Sequence, residues 1–252
     1  MKKNKIYLLL LIITITIGII IYKESNKVDE PTFIPILTFH SISNDSLEDI
    51  TWTIDIETFE NEMKYLKDNN YNTIFVEDID KKLKKEKNIA LTFDDGYEDF
   101  YTNVLPILKK YNMKANLYII TDYINKPNYL TESQLKEIVD SKLVSIGSHT
   151  VSHIALNTVN SDVIHTELSK SKNILENMLN IKIKTLSYPY GGYNDVTKNI
   201  AQTYYKYALT TEPGIYNSQA YNPHKIKRVT IFGTDKLEEF IQKTTKRLYD
   251  DK

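Results

Sequence analysis

From residue 34 onward, short apolar runs alternate with longer amphipathic segments. Eight runs have the length and composition of β-strands, at residues 34–39, 73–76, 89–93, 115–120, 143–147, 183–188, 207–211 and 228–232. The amphipathic segments predict helices at residues 56–69, 97–111, 131–140, 162–179, 194–205 and 236–249. Strands separated by helices through this many units are typical of a parallel α/β fold. The pattern therefore predicts a distorted (β/α) barrel of seven or eight units.

The amino-terminal part of the chain follows a different pattern. Residues 1–5 are mostly basic, residues 6–22 contain no charged side chain, and residues 23–33 are polar. This order predicts a transmembrane signal anchor, with the basic flank in the cytoplasm and the rest of the chain outside the membrane. No small-x-small cleavage site follows, which favours an uncleaved anchor (6–22) over secretion after cleavage. We therefore expect a linker at 23–33 and a single domain at 34–252.

Charge and cysteine content narrow the range of partners. The formal net charge is −1 and the pI is near 6.5, so no attraction to nucleic acid or another polyanion is expected. The chain contains no cysteine, which excludes disulfides, thiolate zinc sites and a lipid-modified cysteine. Any metal ion must therefore bind through histidine and carboxylate side chains.

Two adjacent carboxylates, Asp94 and Asp95, follow the apolar run at residues 89–93 and precede Gly96. A buried pair of like charges is costly unless a cation or a proton relieves the repulsion. The pattern suggests that one carboxylate binds a metal and the other is left as a base. An exposed turn whose acids cap the following helix is the alternative.

Other polar residues also follow predicted strands. His40 ends the first apolar run, His149 follows the fifth, and residues 189–191 follow the sixth. In a parallel barrel, the carboxyl ends of the strands form the face that carries chemistry. We therefore expect these residues to meet Asp94 and Asp95 on one face.

The spacing of His149 and His153 suggests a metal site. Histidines at i and i+4 lie on one face of a helical turn, close enough to bind one ion, and imidazole suits zinc and related metals. With Asp95 they predict a site of two histidines and one carboxylate, with open positions for water and substrate.

Three segments resemble, in order and spacing, the first three motifs of the polysaccharide deacetylases of carbohydrate esterase family 4, the NodB-homology domain. They are residues 92–97, 149–153 and 188–191, which read TFDDGY, HTVSH and YPYG. The resemblance covers essentially residues 34–245. It implies a distorted (β/α) barrel and the metal-dependent removal of acetyl groups from N-acetylated sugar polymers.

The resemblance also implies a role for each matching residue. Asp94 corresponds to the general base, and the backbone amide of Tyr190 to a donor that stabilises the tetrahedral oxyanion. Asp95, His149 and His153 correspond to the ligands of a divalent metal. Zinc is the first expectation, and cobalt, nickel and iron are the alternatives.

The proton donor departs from the common pattern of the family. Most members supply an acid histidine from a Leu-x-His segment near the carboxyl terminus, and that segment is missing here. Residues 36–41, which read ILTFHS, instead resemble the opening of the circularly permuted branch that deacetylates poly-β-1,6-N-acetylglucosamine. In that branch the amino-terminal histidine is the acid. We therefore expect His40 to protonate the leaving amine, with His224 as the alternative.

A second departure concerns the orientation of the base. The third motif commonly begins with an arginine that orients the catalytic aspartate, and Ser187 stands in its place here. Arg228, at the start of the last predicted strand, is the candidate replacement for orienting Asp94, and a structural surface arginine is the alternative.

Aromatic side chains near the predicted face are candidates for holding sugar rings. Motif position assigns Tyr97 and Tyr190 to substrate binding, whereas Trp52 and Tyr193 only fall near the same loops. Most of the nineteen tyrosines must serve packing or the general surface.

Taken together, the sequence predicts a metal-dependent hydrolase, anchored in the membrane with its catalytic domain outside the cytoplasm. Its expected partner is an acetylated amino-sugar polymer, most of all poly-β-1,6-N-acetylglucosamine. Peptidoglycan N-acetylglucosamine is the alternative polymer. An O-acetyl esterase and a non-catalytic sugar-binding relic are the alternative functions.

Overall fold

Seven parallel strands form a closed ring at the centre of the domain. The computed structural model describes residues 16–17, 31–45, 50–81 and 87–245. Strands β1 to β12 are, in chain order, Phe33–Ile34, Ile36–Phe39, Ser41–Ile42, Thr53–Ile54, Tyr71–Thr73, Lys87–Phe93, Ala115–Ile119, Val144–Ser148, Thr185–Ser187, Tyr207–Pro213, Tyr216–Asn217 and Ile226–Thr230. Helices α1 to α6, which follow residue 31, are Ile56–Asp68, Leu105–Tyr111, Glu132–Asp140, Ser161–Leu179, Asp195–Tyr204 and Leu237–Lys243.

The ring runs in the order β2-β12-β10-β9-β8-β7-β6, and it closes because β6 also pairs with β2. Every pairing within the ring is parallel. Strand β5 pairs with the beginning of β6 and is not part of the ring. The predicted (β/α) barrel is therefore confirmed, with seven strands.

Local sequence signals explain how α1 begins and which face it buries. The side chain of Asp55 accepts a hydrogen bond from the Thr58 N–H at 2.9 Å, which satisfies one of the free donors at the helix start. Phe59, Met63 and Leu66 recur at helical spacing and are buried in the main core. The helix thus covers the barrel with the face that the sequence pattern predicts.

The single helix predicted at residues 97–111 is instead two elements. A π-helical turn, Phe100–Val104, precedes α2, which begins at Leu105 and carries Pro106 in its first turn. Proline has no N–H to donate, so it is accommodated at a helix start and disrupts a helix interior. The proline therefore marks a boundary within the predicted segment.

Aromatic packing fixes the strand ends that carry the site. The rings of Phe39 and Phe93 stack with centroids 5.1 Å apart, and Phe93 meets Phe100 edge to face at 5.0 Å. All three side chains are buried. Because Phe39 and Phe93 directly precede His40 and Asp94, this packing holds the tips of β2 and β6 in place.

No helix among the described residues is both long and apolar enough to span a membrane. Of the anchor predicted at residues 6–22, only residues 16–17 belong to the described part of the chain. The anchor and most of the linker predicted at 23–33 therefore lie outside the described residues and stay predictions.

Candidate active site

The strand register brings the predicted residues to one face of the barrel. The Asp94 N–H donates to the Phe39 carbonyl at 3.1 Å, which continues the pairing of β6 with β2 and sets Asp94 beside His40. The His149 N–H donates in the same way to the carbonyl of Ile119, the last residue of β7, at 2.8 Å. Parallel pairing alone therefore gathers residues that are far apart in sequence.

Asp95, His149 and His153 form a compact cluster, which we call the ligand group. Their ligand atoms lie within 4.8 Å of one another. The Nε2 atoms of His149 and His153 are 3.3 and 3.4 Å from Asp95 Oδ1. That oxygen is buried and has no hydrogen-bond partner among the described residues. A buried carboxylate oxygen facing two imidazole nitrogens matches the donor set of a catalytic zinc-type site.

Hydrogen bonds on the far side of each imidazole orient the ligand group. His149 Nδ1 is 2.7 Å from the Ser187 carbonyl oxygen, which can only accept, so Nδ1 is the protonated nitrogen. His153 Nδ1 is 3.1 Å from the Tyr190 hydroxyl. Outer hydrogen bonds of this kind hold metal-binding histidines in position. The Nε2 atom of each ring is therefore directed toward a shared ion.

The charges around the ligand group favour a cation. Burial alone would lower the pKa of His149, but Asp94 and Asp95 outweigh burial and raise that pKa above its ordinary value. The surrounding carboxylates thus stabilise positive charge at the point where the ligand group meets. The residues present therefore fit a divalent ion.

The predicted helical turn at the two histidines is wrong. Residues 149–153 form an irregular loop in which Thr150 and His153 have φ angles of 68° and 61°. Asp95 and Tyr190 also lie in the left-handed region, with φ angles of 74° and 58°. Left-handed backbone at a non-glycine residue costs about 1–3 kcal/mol and persists where the surrounding structure enforces it. The ligand group is therefore held by tertiary contacts in a strained arrangement.

Glu167 on α4 supplies such contacts. Its Oε2 accepts hydrogen bonds from the N–H groups of Val151 and Ser152 at 2.8 and 3.0 Å, and its Oε1 accepts from the Ser152 hydroxyl at 2.8 Å. The side chain is only 9% exposed. Sequence reasoning missed this residue because a glutamate within an amphipathic helix looks the same whether it is solvated or buried. Its proximity to the loop is visible only in the folded protein.

We predict that Glu167→Gln lowers the affinity for a divalent metal by about 10- to 100-fold, the usual effect of losing an outer contact of a metal site. The amide replaces a charged acceptor by a neutral one, so the hydrogen bonds from the Val151 and Ser152 N–H groups weaken and the loop that carries His153 loosens. Competition with a chelator of known affinity measures this change. Glu176→Gln is the matched control, because Glu176 lies on the same helix and accepts from the Ile183 N–H at 3.0 Å, outside the site. Equal metal affinity in the two variants would contradict the role of Glu167.

Arg228 reaches Asp94 from β12 and is fully buried. Its Nη1 and Nη2 donate to the two carboxylate oxygens of Asp94 at 2.9 and 2.7 Å. Its other hydrogen bonds go to the Thr210 carbonyl at 2.9 Å, the Ser187 hydroxyl at 3.0 Å and the Thr92 hydroxyl at 3.2 Å. A bidentate pair of this kind fixes the carboxylate plane. The alternative of a surface arginine is therefore excluded.

Ser187 completes the surroundings of Asp94. Its hydroxyl donates to Asp94 Oδ2 at 3.0 Å while it accepts from Arg228. Burial would raise the pKa of Asp94, but Arg228 and then His149 outweigh burial and hold that pKa below its ordinary value. Asp94 is thus an ionised carboxylate paired with arginine, whereas its neighbour Asp95 faces the histidines.

His40 lies at the tip of β2 against Trp52. The two ring centroids are 4.8 Å apart, at an interplanar angle of 63°. His40 Nδ1 is buried and lacks a hydrogen-bond partner within the described ranges. Burial lowers the pKa of His40, although Asp94 and Asp95 oppose this effect. A lowered pKa makes the protonated ring a stronger acid.

Asp99 ties down the segment that follows His40. Its Oδ2 accepts from the Ser41 hydroxyl at 2.6 Å and from the Ile42 N–H at 3.1 Å. Asp99 directly precedes the π-helical turn Phe100–Val104, so its hydrogen bonds tie the start of that turn to β3. Burial raises the pKa of Asp99 to about 6. This residue was also missed from the sequence, where it resembles a solvated acid at a helix start.

The raised pKa of Asp99 predicts a pH-dependent stability. Between about pH 4 and pH 6 the unfolded chain loses the Asp99 proton before the folded protein does, so stability falls as pH rises through this window. Relative to Asp99→Asn, the wild type should lose about 2 kcal/mol of unfolding free energy between pH 4 and pH 7. Urea unfolding at several pH values tests this, with the exposed Asp140→Asn as control. A difference that stays constant with pH would contradict the prediction.

His224 lies at the opposite end of the barrel from His40. Its Nε2 is 2.9 Å from the Tyr205 carbonyl. The neighbouring Pro223 carbonyl accepts from the Ala208 N–H at 2.8 Å, near the amino end of β10. Active-site residues gather at the carboxyl ends of the strands, so the structure does not bring His224 to the site.

Of the two motif tyrosines, Tyr190 is the exposed one, with 69% of its surface accessible. Gly191 follows it with a φ of 68°, and a Cβ there would lie 2.0 Å from Thr211 Oγ1, so only glycine fits. Tyr97 is 8% exposed and stacks on Tyr129 with centroids 5.0 Å apart. This geometry indicates that Tyr97 packs beneath the face, and its contact with substrate stays a prediction.

Comparison with known proteins agrees with this geometry. A family model described as polysaccharide deacetylase matches residues 81–208. The YxkH protein of Bacillus subtilis, provisionally named a polysaccharide deacetylase, is 38% identical over 195 residues, covering 75% of this chain and 68% of that protein. The poly-β-1,6-N-acetyl-D-glucosamine N-deacetylase of Staphylococcus epidermidis is 26% identical over 226 residues, covering 82% of this chain and 78% of that protein.

Solved structures give the same result. The deacetylase PplD of Streptococcus pyogenes, determined in complex with acetate, superposes with a TM-score of 0.79 at 33% identity, covering 86% of this chain and 100% of that chain. BC0361, a polysaccharide deacetylase from Bacillus cereus, superposes with a TM-score of 0.79 at 30% identity, covering 85% of this chain and 70% of that chain. The chain therefore belongs to the polysaccharide deacetylases of carbohydrate esterase family 4, hydrolases that act on amide bonds.

Proposed function

We propose that this protein removes N-acetyl groups from an extracellular N-acetylglucosamine polymer, with poly-β-1,6-N-acetylglucosamine as its preferred substrate. The observation that carries the proposal is the placement of Asp94, which Arg228 keeps ionised, directly beside the ligand group. A protein that only binds sugar has no use for an ionised base next to a metal site. The inactive relic is therefore the weaker alternative, whereas an O-acetyl esterase would use the same base and metal site and is separated by its substrate.

Two further observations support the choice of polymer. The Staphylococcus epidermidis relative is named for the β-1,6-linked polymer, and the resemblance extends over most of both chains. His40 precedes the other site residues in the chain, as the acid does in the permuted branch that acts on this polymer.

The residues of the site suggest how the amide is cleaved. Asp94 accepts a proton from the attacking water as the water oxygen bonds to the acyl carbon. The Arg228 pair keeps the Asp94 carboxylate in one plane, so the accepting oxygen does not have to be oriented during the reaction. The backbone N–H of Tyr190 is the proposed donor to the oxyanion that develops on the acyl oxygen. Lewis acidity for the acyl carbonyl would come from a divalent ion in the ligand group, for which we propose Zn²⁺.

Release of the sugar requires a proton on the nitrogen. As the carbon–nitrogen bond breaks, His40 donates a proton to the nitrogen, so that acetate and a free amine on the polymer result. His40 is suited to this step because it lies beside Asp94 at the strand tips and its pKa is lowered by burial.

We predict that His40→Ala lowers kcat by about 10²- to 10⁴-fold with metal content unchanged, since a positioned acid contributes about that much to a rate. His224→Ala is the matched control and should leave kcat within about twofold, because His224 lies at the far end of the barrel. Steady-state kinetics on one N-acetylglucosamine oligomer measures both variants. The reverse pattern would assign the acid to His224 and refute the permuted arrangement.

We also propose that the enzyme is anchored in the cell membrane with its catalytic domain outside. Support comes from the basic flank at residues 1–5 and the uncharged run at residues 6–22. Protease treatment of intact cells should remove the catalytic domain from the membrane fraction. A full-length protein protected from the protease would overturn this location.

Mass-spectrometric product analysis tests the proposed substrate. Purified, metal-loaded protein is incubated in parallel with β-1,6-linked N-acetylglucosamine oligomers, peptidoglycan-derived oligomers and an aryl acetate. The proposal expects loss of acetyl groups from the β-1,6-linked oligomers at the highest rate. A preference for the peptidoglycan oligomers would make peptidoglycan the substrate in place of the β-1,6-linked polymer. Activity on the aryl acetate alone would make the protein an esterase and not an N-deacetylase. Inactivity on all three would leave the sugar-binding relic.

A further inference from the structure

The proposed function, on which this inference rests, decides where the sugar must lie. The nitrogen that receives the proton is bonded directly to the sugar ring, so the ring lies on the side of the proton donor, His40. The acyl oxygen lies on the other side, toward the ligand group and the Tyr190 N–H. A surface that holds the sugar should therefore be sought next to His40.

Trp52 is the aromatic side chain that contacts His40. Its ring also packs against Phe232, with centroids 5.4 Å apart and an interplanar angle of 59°. The Nζ of Lys243 lies 4.7 Å from the centre of the Phe232 ring. Although these neighbours support it, 37% of Trp52 remains exposed. A flat apolar surface thus adjoins the proposed proton donor and is open to solvent.

The backbone that carries Trp52 is held rigidly. The Gly233 N–H donates to the Thr51 carbonyl at 2.9 Å. A Cβ on residue 233 would lie 2.0 Å from the Thr53 oxygen and 2.4 Å from the Ile50 oxygen, so a side chain larger than hydrogen would displace the turn. This close approach holds the backbone of the turn, and the ring contacts with His40 and Phe232 position the indole before any ligand binds. A preorganised ring loses little conformational entropy on binding.

We propose that Trp52 is a stacking platform for an N-acetylglucosamine unit of the polymer, either the unit that loses its acetyl group or its neighbour. The apolar C–H face of a pyranose ring packs on an indole face, and tryptophan supplies more contact area than any other side chain. The platform adds to the binding of the sugar chain, because the sugar carries the leaving nitrogen and therefore lies on the side of His40 and Trp52.

Fluorescence tests the contact directly, because Trp52 is the only tryptophan of the chain. Metal-loaded Asp94→Asn protein, which binds without turnover, is titrated with N-acetylglucosamine oligomers while emission is recorded, and calorimetry follows binding in parallel. We expect a saturable change in emission with the same midpoint as the calorimetric titration. The double variant Asp94→Asn/Trp52→Phe should show no such signal. Calorimetric binding without an emission change, or no binding at all, would overturn the proposal.

Steady-state kinetics distinguish a Trp52 that contacts the sugar from a Trp52 that only holds His40 in position. In the otherwise wild-type enzyme, Trp52→Ala should lower kcat/KM for oligomers by about 10- to 100-fold, mainly through KM, the effect expected of a central tryptophan contact. Trp52→Phe, which keeps an aromatic face, should restore most of the oligomer activity. A loss that falls on kcat with KM unchanged would show that Trp52 only positions His40, and would overturn the platform.

The outcomes for the platform and for the proposed function are distinguishable. Wild-type protein whose emission responds to oligomers but which releases no acetate would refute the proposed deacetylation and leave Trp52 as a sugar contact. Turnover of oligomers by Trp52→Ala at wild-type kcat/KM would refute the platform and leave the proposed function intact.

Discussion

Replacing Asp94 by asparagine is expected to lower kcat by about 10²- to 10⁴-fold and to leave the metal content equal to that of the wild type. An amide cannot take a proton from the attacking water. It nevertheless has the size of the carboxylate and can still accept a hydrogen bond from Arg228 or Ser187. Asp94 does not belong to the ligand group, so the ion keeps all three of its protein ligands.

Metal analysis and kinetics on the same preparation test this expectation. The comparison variant is His153→Ala, which removes one imidazole of the ligand group and should lose metal and activity together. Loss of metal from Asp94→Asn would show that this carboxylate is a ligand. Turnover near the wild-type rate would exclude it as the base.

Replacing Arg228 by methionine is expected to lower the free energy of unfolding by about 3–5 kcal/mol, the cost of removing one partner from a buried ion pair. The change leaves the Asp94 carboxylate buried without its bidentate partner. It also removes the donors to the Thr210 carbonyl and the Ser187 hydroxyl. Activity should fall as well, because Asp94 is no longer held in one plane.

A double-mutant cycle measured by urea unfolding separates the pair from its surroundings. Asp94→Asn/Arg228→Met removes both charges, so it should lose less stability than the sum of the two single variants, by about 1 kcal/mol or more. Lys64→Met is the control, since its pair with Asp68 is exposed, with both side chains 58% accessible, and should change stability by less than about 1 kcal/mol. Additive losses in the cycle would contradict a direct coupling of Asp94 with Arg228.

Much of the fold could be predicted because its signals are local. Most strands of the ring are short apolar runs, and helix starts carry polar caps such as the capping box of Thr131 with Gln134. Predictions were weaker where a local pattern admits two structures. Residues 97–111 have helical spacing throughout, yet the start of α2 at Leu105 divides them. Residues 149–153 have the spacing of a helical turn and form a strained loop.

The ligand group was predictable for a related reason. His149 directly follows β8, Asp95 comes two residues after the end of β6, and His153 is close to His149 in sequence, so parallel pairing gives little choice about where they meet. The residues that support the ligand group from outside could not be recognised from the sequence. Glu167 and Asp99 are acids whose burial depends on which helix or turn packs against which loop.

The sequence by itself thus determined the barrel, the face that carries the site, and the residues that can bind a metal, because strand order and strand ends are encoded locally. Only the tertiary structure decided how Asp94 is held. Its partner Arg228 is 134 residues away in the chain, and the usual motif position is occupied by Ser187. The pairing arises because ring closure brings β12 beside β2, which pairs with β6. A buried guanidinium and a buried carboxylate each need an opposite charge, and here each supplies it to the other.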